Sequence, residues 1–163
     1  MFVVSKGYHL KLIGLDVGDK TIGIAISDDL MLTAQGICTL DRVGIRKDAG
    51  SVIDMANQYG CTTIVVGLPL MLSGKDSPQT EKVRAFASML ENKLRSTGAS
   101  IPVVFQDERF STKIAEDVLI QGDVSRKKRK DVIDKQAAMI ILQSYMDGLR
   151  NQIRLEKERN VDE

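Results

Sequence analysis

The first third of the chain has the alternating pattern of a β-meander. Residues 12–17 are apolar and β-prone, Gly18-Asp19 has turn chemistry, and residues 21–27 alternate isoleucines with small residues. We therefore predict a hairpin here, followed by a third strand over residues 31–40.

The remaining two thirds alternate between helical and strand patterns. Helices are predicted where apolar residues recur at helical spacing before glycine stop signals, and strands where short β-branched runs occur. The predicted elements are a helix over 44–59, a strand over 62–68, a loop over 69–77, a helix over 78–97, a strand over 102–106, a helix after the N-cap Ser111, and a long helix over about 130–149.

This order predicts one mixed five-stranded sheet of the α/β class. An antiparallel meander followed by parallel β-α-β crossovers places helices on both faces of such a sheet. A length of 163 residues fits a single domain, which we assign to residues 1–150. Residues 151–163 form a charged tail that extends the last helix or frays.

Composition narrows the function. The formal net charge is +1, which excludes a globally basic nucleic-acid binder but leaves a local basic patch open. The longest apolar stretches fall far short of the roughly 20 residues that span a bilayer, and the N-terminus lacks the features of a signal peptide. We expect a cytoplasmic protein without membrane association. Two cysteines outside any CxxC pair and a single histidine leave carboxylates, lysines or a bound metal to carry any chemistry.

Acidic residues at three places are candidates for that chemistry. Asp16 lies inside the first predicted strand, on the face of Leu12 and Gly14, although Asp is rare in strands. Asp107 and Glu108 follow a strand, and because side chains alternate, only one of them can point into a site. Asp134 falls on the helical stripe that must meet the sheet. Each also has a structural explanation, as a turn cap, a polar loop start or a dipole-favoured acid in a first helical turn.

Together these carboxylates predict a divalent-metal site. Hard oxygen ligands suit Mg²⁺ or Mn²⁺, and such ions support hydrolysis of phosphodiester bonds. A basic run lies close by in the sequence. It is either a solvated charged segment or a surface that positions a phosphate backbone, and it consists of Arg126, Lys127, Lys128, Arg129 and Lys130.

Four ordered blocks of sequence give the chain a resemblance to a known family. They are GLDVGDKTIGIAISD at 14–29, VVGLPLMLSGKDSPQTEKVRAFA at 65–87, DERFST at 107–112 and IDKQAAMIILQSY at 133–145. The chain resembles the YqgF family, also called RuvX, of RuvC-like nucleases in the ribonuclease H-like superfamily. This resemblance covers about residues 12–149 and implies a ribonuclease H-like fold.

The resemblance also implies a function and a set of site residues. Members of the family are described as Holliday junction resolvases or as nucleases that mature the 5′ end of precursor 16S ribosomal RNA. Carried over by position, Asp16, Glu108 and Asp134 form the catalytic and metal-binding set. Lys20 and Arg109 become candidates for phosphate contact, and Ser111 and Thr112 hold their loop, Thr112 counting among the nucleic-acid-binding residues with the basic run.

Partners and competing functions remain open at this point. The implied partner is precursor ribosomal RNA or branched DNA, bound by a monomer or a homodimer. An actin-like or sugar-kinase ATPase shares the DxG motif after its first strand, but such proteins need two domains around the nucleotide. A non-catalytic nucleic-acid-binding regulator would keep the fold and the basic run without turnover.

Overall fold

A computed structural model describes residues 10–109 and 126–161, and for residues 126–134 it describes the backbone alone. Five strands and three helices fill these ranges. The strands are β1 (Leu12–Val17), β2 (Thr21–Ser27), β3 (Ala34–Asp41), β4 (Thr63–Leu68) and β5 (Val103–Asp107). The helices are α1 (Ile45–Gln58), α2 (Pro78–Ser96) and α3 (Arg126–Val161).

The strands form one mixed sheet in the order β3-β2-β1-β4-β5. β1, β2 and β3 pair antiparallel as a meander, whereas β4 pairs parallel to both β1 and β5. This confirms the predicted five-stranded α/β architecture. The carboxyl ends of β1, β3, β4 and β5 consequently lie at the same edge of the sheet, which we call the carboxyl edge.

Each face of the sheet carries its own apolar core. Helices α1 and α2 cover one face, with Val52, Phe86 and Leu90 fully buried against the isoleucines of β1 and β2. Helix α3 covers the other face through Ala138 and Leu142. Burial of apolar area on both faces is the main force that holds these layers together.

Small residues let α3 pack close to its face of the sheet. A Cβ atom at Gly14 would lie 2.8 Å from the Leu142 Cβ and 3.3 Å from the Ala138 carbonyl oxygen. At Gly36 it would lie 3.1 Å from the Met139 Sδ. Because protein interiors are close-packed, larger side chains at these glycines would push the helix away.

Two predicted boundaries were wrong. β3 begins at Ala34 rather than at residue 31, because the Asp28 carboxylate accepts the backbone N–H groups of Leu32 (2.7 Å) and Thr33 (3.0 Å) and holds a turn there. Helix α3 begins at Arg126 rather than near residue 130. Lys and Arg are good helix formers, so the basic run occupies the first turns of α3 instead of preceding it.

Two further expectations concern the segment that begins at Ser111 and the C-terminal end of helix α3. The helix predicted after Ser111 lies outside the described residues, as does Thr112. Helix α3 continues to Val161, and residues 151–161 are exposed throughout. Within the ranges that the structure describes, no helix has the length and apolar character needed to cross a membrane.

Candidate active site

Asp16 lies near the carboxyl end of β1, on the face that α3 covers. It is half-buried and pairs across the hairpin with Gly23 of β2. Its alternate neighbour Gly14 contacts α3, whereas Leu15 and Val17 pack into the opposite core. A carboxylate at this position cannot be explained by core packing. It lies instead at the strand end where ligands of open α/β sheets bind.

Glu108 reaches the same face from the end of β5. Its backbone N–H donates to the Leu68 carbonyl oxygen (3.2 Å), which holds the chain beside β4. Its side chain then lies across Gly67 of β4, against Ile141 of α3. A Cβ atom at Gly67 would collide with both Glu108 Oε2 and Ile141 Cδ1, so only glycine leaves room for this carboxylate.

Sequence reasoning missed the part that Gly67 plays. The available signal was a glycine inside the β-branched run of residues 62–68, since glycine in a strand interior marks a close approach by another group. Nothing in the linear pattern, however, shows that the approaching group is a carboxylate from the neighbouring strand.

The electrostatics link the two carboxylates. Burial, and after it the negative charges of Asp16 and Asp107, raise the pKa of Glu108 to about 8. Asp16 and Glu108 therefore share one poorly solvated site. A bound cation would offset both the repulsion between these two carboxylates and the cost of burying their charge. The residues present therefore fit a divalent metal.

The other member of the acidic pair turns away. Asp107 accepts hydrogen bonds from the Arg109 backbone N–H (3.0 Å) and Nε (2.7 Å). The hydrogen bond from the Arg109 side chain is the main cause that lowers the pKa of Asp107. The alternation predicted for residues 107 and 108 is confirmed: Glu108 points inward, and Asp107 pairs on the surface.

Arg109 also contacts the loop that follows β4. Its Nη1 donates to the Leu72 carbonyl oxygen (3.3 Å), while its Nη2 lies 2.6 Å from Asp107 Oδ2. The guanidinium stays partly exposed, with 37% of the side chain accessible. Arg109 thus links Asp107, which precedes Glu108, to the loop over residues 69–77.

Asp134 is placed by its backbone alone. The Gln143 side chain of α3 donates to the Leu32 carbonyl oxygen and accepts from the Ala34 N–H, at the start of β3. Lys135, two turns earlier in α3, lies beside Gly36, farther along that strand. β3 runs parallel to β1, so the N-terminal end of α3 points toward the carboxyl edge. Asp134 lies in that end, one turn before Ala138.

The structure thus brings together the side chains of two of the three predicted carboxylates. The side chain of Asp134 lies outside the described part of the chain, and among the residues that are described no three His, Cys, Asp or Glu side chains form a metal-binding group. Lys20 is exposed in the β1–β2 turn at the carboxyl edge. The side chains of residues 126–130 also lie outside the part of the chain that the structure describes.

Comparison with solved structures identifies the fold as ribonuclease H-like. The chain resembles the yeast mitochondrial Holliday junction resolvase Ydc2 with a TM-score of 0.56 at 13% identity, covering 94% of this chain and 83% of that one. It resembles Thermus thermophilus RuvC, solved with a Holliday junction substrate, with a TM-score of 0.54 at 13% identity, covering 88% of this chain and 97% of that one. At this identity the likeness shows the fold, which is that of resolvase-type nucleases.

The sequence comparisons identify the family. The RuvX family, described as "Holliday junction resolvase", matches residues 10–148, and the chain belongs to it. A relative from Caldanaerobacter subterraneus subsp. tengcongensis is 50% identical over 87% of this chain and 99% of its own. One from Bacillus pumilus is 46% identical over 86% and 99%. Both are named "Putative pre-16S rRNA nuclease". The family is thus one of nucleases, which agrees with the hydrolase expected from the sequence.

Proposed function

We propose that this protein is a metal-dependent nuclease that matures the 5′ end of precursor 16S ribosomal RNA. The observation that carries the proposal is the half-buried carboxylate pair of Asp16 and Glu108 at the carboxyl edge. The names of the relatives supply the substrate. The cytoplasm, where ribosomal RNA is processed, is the proposed location.

In this proposal Asp16, Glu108 and Asp134 hold Mg²⁺ or Mn²⁺. When bound, such ions activate water and stabilise the leaving oxygen of a phosphodiester. Glu108 must first lose its proton, because a pKa of about 8 leaves much of it neutral at pH 7. Helix α3 excludes water from one side of the pair by packing Ile141 against Gly67. Lys20 and Arg109 lie at the carboxyl edge, where they can bind phosphates of the substrate.

A Holliday junction resolvase is the second candidate function. The description of the RuvX family favours it. Such an enzyme cuts two symmetry-related strands and would favour a two-fold homodimer, whereas trimming one RNA end needs only a monomer. The two candidates use the same carboxylates, so the substrate separates them.

The deciding experiment compares cleavage of labelled precursor 16S RNA and of a labelled four-way DNA junction, with Mg²⁺, Mn²⁺ or EDTA. We expect metal-dependent cutting of the RNA near its mature 5′ end. Asp16→Asn should abolish cutting while its thermal unfolding stays close to that of the native protein, and Lys11→Gln, remote from the carboxyl edge, serves as the matched control. Cutting of the junction alone would assign the resolvase. Binding without any cutting would instead indicate a non-catalytic regulator.

The basic run is tested separately through salt dependence. Each phosphate contact contributes roughly 0.7–0.9 to the slope of log affinity against log salt. We expect that replacing Arg126, Lys127, Lys128, Arg129 and Lys130 by Gln weakens binding of the precursor RNA and flattens this slope. An unchanged slope would make the run a solvated surface of α3 that does not contact the substrate.

A further inference from the structure

The loop between β4 and α2, residues 69–77, is held in one shape by its own backbone. Leu70 and Asp76 form an isolated antiparallel bridge. Within it, the Met71 N–H donates to the Lys75 carbonyl oxygen (2.9 Å), and the Gly74 N–H donates to that of Met71 (2.8 Å). The loop is thus a small closed turn, which we call the β4–α2 loop.

Side chains from two other elements fix this loop to the body of the protein. Arg84 of α2 binds both oxygens of Asp76, at 2.8 and 3.0 Å. Arg109 donates to the Leu72 carbonyl oxygen at 3.3 Å. The second contact matters most, because Arg109 directly follows Glu108 and so couples the loop to the candidate active site.

The tip of the β4–α2 loop presents apolar side chains to solvent. Met71 is 51% exposed and Leu72 is 70% exposed. A loop this constrained has no freedom to fold these side chains back into the core. Their exposure is therefore a fixed property of the surface beside the active site.

The surroundings indicate which kind of surface covers them. Two side chains provide far less than the roughly 1,000 Å² that a specific protein interface buries. Exposed Lys75 flanks the tip, and so does the guanidinium of Arg109, which pairs with Asp107 but stays partly exposed. Cations beside a carboxylate site suit a phosphate backbone. Leu and Met are also side chains that proteins insert between base steps. Nucleic-acid bases fit both the size and the charge of this tip.

We propose that Met71 and Leu72 form an apolar wedge that packs against the bases of nucleic acid bound at the active site and unstacks a base step there. This proposal rests on the proposed nuclease function and deepens it: the wedge makes the enzyme select duplex ends and branch points, where unstacking costs least. Arg109 keeps the wedge at a constant position relative to Glu108.

The test uses 2-aminopurine, whose fluorescence rises when it leaves a base stack. The base is placed at the duplex–single-strand boundary of a precursor RNA, and binding is followed with the non-cutting Asp16→Asn protein in Ca²⁺. We expect a fluorescence increase that the added double substitution Met71→Ser and Leu72→Ser removes. The same substitutions should weaken binding of this RNA on the order of tenfold and leave binding of an unstructured RNA of equal length within about twofold.

Leu30→Ser is the matched control. Leu30 is equally apolar and 75% exposed, but it lies in the β2–β3 turn, at the opposite edge of the sheet. It should change neither signal. Leu72→Met should retain both the fluorescence increase and the binding, because the wedge requires apolar volume rather than leucine itself. Thermal unfolding of each variant checks that the loop substitutions leave the fold intact.

The outcomes separate this proposal from the nuclease function. If the RNA binds and is cut by the active protein, yet the loop variant behaves like Leu30→Ser, the wedge is wrong and the nuclease stands. If Leu72→Met loses the signal as fully as the serine substitutions do, apolar volume does not account for the signal and the wedge is wrong. If no variant binds either nucleic acid, both proposals fail.

Discussion

At the scale of single residues, Gly67 decides where Glu108 can lie. The carboxylate of Glu108 and the side chain of Ile141 occupy the space that any larger residue at position 67 would need. The geometry of the candidate site therefore depends on an absent side chain in β4. Gly67 is therefore as necessary to the geometry of the site as the carboxylates are.

The substitution Gly67→Ala tests this dependence. We expect it to destabilise the fold by about 1–3 kcal/mol, the usual cost of overpacking, and to reduce cleavage by displacing Glu108. Gly148→Ala in α3 is the control, because a Cβ there meets nothing within 4 Å and should stabilise the helix by roughly 0.5–1 kcal/mol. Urea unfolding measures both. Equal stability of the two variants would contradict the close approach of Glu108.

A second prediction concerns the pKa of Glu108. The charge of Asp16 raises this pKa, after the larger effect of burial. Asp16→Asn removes that charge, so the pKa should fall below about 8 but stay above its ordinary value of 4.5. Carbon-detected NMR titration of the side-chain carboxyl group measures it. An unchanged pKa would show that the two carboxylates do not share a site.

At the scale of elements, α3 performs two separate tasks. Its 36 residues make a rod about 54 Å long. The middle of this rod, from Ala137 to Met146, supplies the buried residues that cover the sheet. Residues 151–161 contact solvent throughout, so this part of the helix is supported by its own backbone hydrogen bonds rather than by packing.

Truncation after Arg150 tests this division of α3. Since the removed segment buries no apolar side chain in the described structure, the melting temperature should change by less than about 2 °C. Differential scanning calorimetry measures it, with gel filtration alongside. A loss of 5 °C or more would assign the tail a packing role, for example between the two copies of a homodimer.

At the scale of the whole molecule, Glu108 makes stability depend on pH. Its folded pKa of about 8 lies above its ordinary value of 4.5, so between these values the folded state binds more protons than the unfolded chain. Stability therefore falls as pH rises through this window. The carboxyls whose pKa is lowered, such as Asp48 and Asp107, act only below about pH 4.

We expect the melting temperature in EDTA to fall between pH 5 and pH 8.5, and to recover when Mn²⁺ is added, since a cation stabilises the ionised carboxylate. Glu108→Gln should flatten the profile and remove the recovery. Differential scanning fluorimetry across this pH range measures the melting temperature in EDTA, with Mn²⁺ added, and for the Glu108→Gln variant. A profile in EDTA that Glu108→Gln leaves unchanged would show that this carboxyl is not the titrating group.

The sequence by itself determined the mixed five-stranded sheet, its antiparallel and parallel parts, and the face on which Asp16 lies. These follow from local patterns: strand alternation assigns a face to each residue, and a meander followed by crossovers permits few topologies. Strand alternation also showed that only one member of the Asp107–Glu108 pair could point inward, and the resemblance to the RuvX family indicated Glu108.

Only the tertiary structure showed how Glu108 enters the site and what surrounds it. Glu108 crosses Gly67 from a neighbouring strand, and its raised pKa comes from burial under α3 and from the charge of Asp16. The exposed tip of the β4–α2 loop was equally hidden. Each depends on groups distant along the chain that meet only after folding, and local periodicity carries no record of such contacts.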